Sequence, residues 1–167
     1  MGTEISLEEV ASFMRDRSLR LVTAESCTAG LIAATLADVK GAGELLECAF
    51  VTYSPEAKQR CLDVREETIA AFNLTSEEVA REMALGALRH STANVAVANT
   101  GVTDNTDDRI PAGTQCFAWA FRIAAPNKAP VIHSETCRFD GDRRTIRERS
   151  ADHALRRIVT LAPEPDR

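Results

Sequence analysis

The stretch Leu19-Arg20-Leu21-Val22-Thr23-Ala24-Glu25-Ser26-Cys27-Thr28-Ala29-Gly30-Leu31-Ile32-Ala33-Ala34 changes character twice. Leu19 to Ala24 is a short apolar run that suits a buried strand. Glu25 to Gly30 is a tight turn rich in small polar residues, after which Leu31, Ile32, Ala34 and Leu36 continue with helical character to about Val39. A strand that hands over to a helix through so short a turn is a building unit of α/β sheets. In such sheets sites lie at the carboxyl ends of the strands.

Upstream, Ser6-Leu7-Glu8-Glu9 reads as a capping box, and Leu7, Val10, Phe13 and Met14 predict a helix to about Arg17. Downstream, Gly41 and Gly43 mark a loop, and Cys48 to Tyr53 has the composition of a second strand. Ser54 as N-cap and Pro55 at the first helical position predict a helix that presents Lys58 near its first turns. Thr75-Ser76-Glu77-Glu78 is another capping signature, opening a helix with Val79, Met83, Ala87 and Leu88 on one face and ending near His90. Ala93 to Thr100 reads as a third strand, and 101–113 as an irregular polar loop. Thr114 to Ile123 and Val131 to Arg138 read as two further strands joined across Pro126-Asn127-Lys128. Gly141-Asp142 opens a last helix, and the tail from Ala162 is expected to fray. The expectation is a single domain over 1–167, a three-layer α/β/α arrangement with a mixed, mostly parallel sheet of about five strands.

With 20 basic against 25 acidic side chains in 167 residues, the net charge of −5 excludes a strongly basic nucleic-acid binder. No apolar run approaches the roughly 18 residues of a membrane helix. Glu4, Glu8 and Glu9 stand where a secretory signal would be basic and then apolar, so a cytoplasmic protein is expected, without nucleic-acid or membrane partners. Met1-Gly2-Thr3-Glu4-Ile5-Ser6 satisfies the loose pattern for N-myristoylation, but nothing basic follows to supply a second anchor. Cys27, Cys48, Cys61, Cys116 and Cys137 are odd in number, form no C-x-x-C pair and read as reduced, buried thiols.

Ser26 sits where strand becomes helix. Either it is a nucleophile, with unpaired amides of the following helix stabilising an oxyanion, or Ser26 or Thr28 merely caps that helix. Cys27 competes as nucleophile, though no histidine lies near it in sequence, and His90, His133 and His153 fall on helix ends, strand or helix surface. Lys58, if desolvated at the end of the second strand, could serve as a base for Ser26; otherwise it is a solvated helix lysine. Tyr53 could relay a proton or orient a substrate. There is no sequence-evident zinc site, P-loop or dinucleotide fingerprint. Asp104-Asn105-Thr106-Asp107-Asp108 lacks the glycine and terminal glutamate of a calcium loop and reads as a solvated acidic loop. Arg143, near the positive end of the last helix, could bind an anion such as phosphate, while most of its other arginines read as surface charges.

The segment Ala24-Glu25-Ser26-Cys27-Thr28-Ala29-Gly30-Leu31-Ile32-Ala33 closely resembles the CinA C-terminal domain family, the competence/damage-inducible proteins that include nicotinamide-nucleotide amidases. Val51-Thr52-Tyr53-Ser54-Pro55-Glu56-Ala57-Lys58, Ser76-Glu77-Glu78-Val79-Ala80, Met83-Ala84-Leu85-Gly86-Ala87, Thr100-Gly101 and Phe139-Asp140-Gly141-Asp142-Arg143 follow in the family's order. The resemblance implies an amidohydrolase that converts nicotinamide mononucleotide to nicotinate mononucleotide and ammonia. It implies attack by Ser26, proton transfer by Lys58, assistance from Tyr53, and Thr28, Thr100 and Arg143 around the substrate. It also implies self-association, a small pyridine nucleotide as partner, and neither metal nor organic cofactor.

The chain departs from the family pattern in three places. After Thr100-Gly101 the family's glycine-rich stretch is replaced by Val102 to Gly113, with three aspartates and one arginine for a net −2. This charge would oppose a phosphate. It keeps open a catalytically silent binding or regulatory paralogue, or an amidase for an amide without phosphate. Ala29 stands for a glycine and is expected within the helix's first turn, and Glu47-Cys48-Ala49 replaces small glycines before the second strand, where it could narrow the site.

Overall fold

The computed structural model describes residues 4–165; the lipidation-pattern residues Met1 to Thr3 and the end of the expected frayed tail, Asp166 and Arg167, lie outside them. The elements run α1 (Leu7–Asp16), β1 (Leu21–Glu25), α2 (Leu31–Ala37), β2 (Leu46–Val51), α3 (Pro55–Leu62), α4 (Glu66–Phe72), α5 (Glu77–Arg89), β3 (Val95–Gly101), β4 (Thr114–Phe121), β5 (Val131–Arg138) and α6 (Arg143–Leu161). A 3-10 turn at Ala42–Glu44 precedes β2.

The five strands form one mixed sheet in the order β2-β1-β3-β4-β5. β1 pairs in parallel with β2 and β3, while β4 pairs antiparallel with β3 and β5. Four strands therefore run the same way, with β4 alone reversed. β1 lies centrally and is buried along its whole length, which is why it reads as an unbroken apolar run rather than an alternating one.

Alternation along β3 feeds the two outer layers. Val95 and Val97 pack with Leu21, Phe117 and Trp119 against α1, α2 and α6. Ala96 and Ala98 pack with Val22, Ala24, Ala118 and Ala120 against Val79, Met83 and Ala87 of α5. Small residues on this second face let α5 lie close, and Gly86 extends that closeness to the end of α3. A Cβ there would lie 1.9 Å from the Leu62 carbonyl oxygen.

The expected caps form. Ser6 and Glu9 make the reciprocal capping box, Ser54 accepts from the Ala57 amide with Pro55 at the first helical position, and Ser76 caps α5. Three expectations need correction. β2 begins and ends two residues earlier than Cys48 to Tyr53, so Thr52 and Tyr53 belong to the turn beyond it. α4 was not anticipated; its N-cap is Arg65, which makes no side-chain capping bond. Among the cysteines, all free, Cys27 and Cys116 are buried, but Cys48, Cys61 and Cys137 are only half-buried. No described helix is long and apolar enough to cross a membrane.

Candidate active site

The strand order turns around between β1 and β3, the place where an α/β sheet leaves a crevice beyond its carboxyl edge. A cleft of about 240 Å³ opens there, lined by Ser26, Cys27, Tyr53, Lys58, Thr100 and Asp107 among others. Three chain segments distant in sequence thus bring their polar ends to one place.

Lys58 is the central group. It projects from α3 with 1% of its surface exposed, and its Nζ lies 2.9 Å from Ser26 Oγ, 2.7 Å from the Thr52 carbonyl oxygen and 3.4 Å from that of Tyr53. Burial lowers its pKa from 10.5 to about 8. A neutral amine has two N–H donors and one lone pair. The two carbonyls can only accept, so on deprotonation the lone pair is left for the Ser26 hydroxyl. The solvated-lysine alternative is overturned by this burial.

The turn that carries Ser26 is held from four sides. The Ser26 amide donates to the Asn99 carbonyl (3.0 Å) and the Thr28 amide to Asn99 Oδ1 (3.1 Å). Asn99 Nδ2 donates to Gln115 Oε1 (2.9 Å), and Gln115 Nε2 lies 3.4 Å from Cys27 Sγ and 3.1 Å from the Val102 carbonyl oxygen. Gln115 can lie there because its register partner is Gly101; a Cβ on Gly101 would approach its side chain to 2.4 Å. From α6, Arg147 donates to the carbonyls of Cys27 (3.1 Å) and Thr28 (3.0 Å). Arg147 is therefore not a surface charge, as its place in an arginine-rich helix suggests.

The fourth support is Glu25, wholly buried. Its carboxyl oxygens accept from the amides of Ile32 (2.8 Å) and Ala33 (3.1 Å) and from the Thr23 hydroxyl (2.8 Å). This corrects two expectations. Neither Ser26 nor Thr28 caps α2, whose N-cap, Gly30, makes no side-chain capping bond. The first amides of α2 are also not free to stabilise an oxyanion, because Glu25 takes two of them and the Thr28 carbonyl takes that of Leu31. Thr23 and Glu25, two apart on one strand and facing one way, were the available signal for this role.

Ala29 is not in the first turn of α2. Its φ is 49°, left-handed, followed by Gly30 at 94°. A left-handed conformation costs an alanine about 1 kcal/mol or more. Part of that gain is offset by the freedom glycine adds to the unfolded chain. Ala29→Gly is therefore expected to stabilise the protein by about 0.5–1 kcal/mol, read as a higher urea midpoint at unchanged slope; an unchanged or lower midpoint would contradict the strain.

The remaining expected site residues divide. Tyr53 lines the cleft with 60% of its surface exposed. Thr100 also lines it, but its hydroxyl donates to the Leu74 carbonyl (2.9 Å), joining β3 to the α4–α5 connection. Thr28 is fully buried and its hydroxyl has no hydrogen-bond partner among the described residues. Arg143 is the first residue of α6, but the amide of Thr145 at that helix end is taken by the Asp142 side chain (2.8 Å), and its own guanidinium pairs with Asp104. Glu47 does not narrow the cleft: it lies in the first half of β2 and accepts from the Thr92 hydroxyl (3.1 Å), before the start of β3.

The acidic loop is more neutral than its composition. Asp107 lines the cleft beside Asn73 but is closed by Arg109 through both carboxyl oxygens, and this pairing lowers its pKa to about 2. Asp108 is exposed. Away from the cleft, Glu135, Cys137 and His153 bring three potential metal donors together between β5 and α6. Glu135 is already bonded by both His153 and the Arg157 guanidinium, whose charge opposes a cation there.

Residues 4–162 match the CinA C-terminal domain model, and the chain belongs to that family. Among its relatives, the nicotinamide-nucleotide amidohydrolase PncC of Escherichia coli is 37% identical over 153 residues, covering 90% of this chain and 89% of that protein. A putative competence-damage inducible protein of Symbiobacterium thermophilum is 43% identical over 153 residues, and there the chain spans only 36% of the relative's length. The crystal structure of a competence or damage-inducible protein from Enterobacter asburiae superposes with a TM-score of 0.84 at 32% identity, covering 93% of this chain and 97% of that one.

Proposed function

We propose that this chain hydrolyses a carboxamide, that of nicotinamide mononucleotide, through a covalent intermediate on Ser26. The observation that carries the reading is the 2.9 Å approach of the buried Lys58 amine to Ser26 Oγ at the cleft floor. Lys58, neutral, takes the Ser26 proton as Oγ bonds to the amide carbon, and the carbonyl oxygen becomes an oxyanion. The amide of Cys27, which follows Ser26 and has no backbone acceptor among the described residues, is assigned to donate to that oxygen. Lys58 then returns the proton to the departing nitrogen, ammonia leaves, and water attacks the acyl-Ser26 ester by the same proton path in reverse, releasing the carboxylate. Tyr53 flanks the mouth, and Arg143 is assigned to the substrate phosphate.

The relative of known name supports the substrate, and the pairing of Arg143 with Asp104 favours a second reading, an amide without phosphate. The deciding assay is ammonia release from nicotinamide mononucleotide by the purified protein beside its Ser26→Ala variant. Release lost on Ser26→Ala is expected. Full turnover in that variant would remove Ser26 as nucleophile, and tight binding with no ammonia from the parent would make the chain a silent binding domain.

A further inference from the structure

Beyond the residues that line the cleft, Arg143 at the start of α6 forms a charge pair with Asp104 of the 102–113 loop. Arg147 donates to the carbonyls of the nucleophile turn. Arg143 lies four residues earlier on α6, so it shares that face of the helix and stands about one turn, roughly 5.4 Å, beyond. Its charge reaches the Cys27 thiol, as does that of Asp104. The guanidinium is engaged: its Nη2 donates to Asp104 Oδ2, an oxygen that also lies 3.2 Å from the Thr103 hydroxyl. Both side chains remain more than half exposed, 59% for Arg143 and 57% for Asp104, so an incoming anion can reach the pair. Asp104 belongs to the loop whose Val102, Thr106 and Asp107 line the cleft. Asp107 is closed within the loop by Arg109, whereas Asp104 reaches across to α6.

We propose that Asp104 is a specificity-determining residue: its carboxylate holds Arg143 in the resting protein and competes with a substrate phosphate for it, lowering the preference for phosphorylated over unphosphorylated amides. The inference rests on the reading of the cleft as an amide site with Arg143 toward the phosphate. A phosphate must displace a carboxylate tethered beside it and then remain its neighbour. A riboside brings no anion to that point and is indifferent to it. Because the pair is exposed, the competition is screened once the Debye length falls well below its value of about 10 Å at 0.1 M salt.

The test measures binding by calorimetry in the Ser26→Ala background, which cannot form the acyl intermediate, using nicotinamide mononucleotide and nicotinamide riboside. Adding Asp104→Asn is expected to tighten the mononucleotide relative to the riboside by about three- to sixfold at low salt, the scale of an exposed ion pair. The gain should shrink at high salt and disappear on further adding Arg143→Ala. An unchanged ratio of the two dissociation constants, or a gain that survives the loss of Arg143, overturns the inference. Binding is read without turnover, so a parent protein that releases no ammonia removes the proposed reaction and leaves this ratio measurable. A mononucleotide that binds none of the variants removes both.

Discussion

Replacing Lys58 with methionine is expected to abolish amide hydrolysis and at the same time to make the folded protein more stable. Methionine keeps an unbranched chain, one atom shorter, and has no charge to desolvate. Lowering the lysine pKa from 10.5 to about 8 amounts to about 3 kcal/mol of destabilisation when the group is protonated in both states. Against this, methionine leaves the buried Thr52 carbonyl without its 2.7 Å partner, a loss of about 1–2 kcal/mol. The net expectation is a gain of about 1–2 kcal/mol at neutral pH. Its pH dependence has a definite sign. Below pH 8 the folded and unfolded lysine both carry the proton, and the wild type bears the full penalty. Between about 8 and 10.5 the folded form has lost the proton while the unfolded form still binds it, so wild-type stability rises with pH and the advantage of methionine disappears. Urea midpoints of the two proteins at neutral and alkaline pH measure this; parallel curves would mean that Lys58 is not strained by burial. On the proposed mechanism the same titration is expected to make wild-type turnover climb as pH passes through about 8, because only the neutral amine would accept the Ser26 proton.

The second large effect is expected at Glu25. Glu25→Ala removes the acceptor of two buried α2 amides and of the Thr23 hydroxyl. Each donor left without a partner costs about 1–3 kcal/mol. A loss of about 3–5 kcal/mol is expected, a large part of the stability of a domain this size. Activity should suffer separately, because Glu25 immediately precedes Ser26 and ties the start of α2 to the end of β1. In whatever fraction remains folded, kcat is expected to fall more than KM rises. A urea midpoint close to that of the wild type would show that water or another side chain caps α2 equally well.

The parts of this molecule that could be read from sequence are those whose causes are local. Ser54 and Pro55 specify the start of α3, the apolar run of β1 announces a strand buried on both faces, and the short polar turn after it marks Ser26. Lys58 was legible for the same reason: its distance from a capped helix start puts it one turn in, beside the strand ends. α4 escaped because its seven residues begin without a side-chain cap. Glu25 looked like the first residue of a polar turn, since nothing local says that its carboxyl is folded back on amides seven and eight residues later. The most distant partners were the least visible. Gln115, 88 residues from Cys27, read only as a polar residue in a strand, and Arg143, 39 from Asp104, read as a candidate anion site with no sign of this partner. The loop's net charge was correctly counted but not its disposition, which depends on Arg109 folding back two residues and on α6 arriving from far along the chain.

The contact between Arg147 and the turn at Cys27 and Thr28 spans about 120 residues, joining the last helix to the first strand-helix unit. A polypeptide emerging from the ribosome has made Ser26 and Lys58 long before it makes Arg147, and β1 must also wait for β3, with Leu21 paired to Val95. Pairings of such sequence separation form late, after much loop closure. The geometry at Ser26 is therefore completed only after Arg147 has been made, and a chain that stops short of α6 holds Ser26 and Lys58 without this part of their frame.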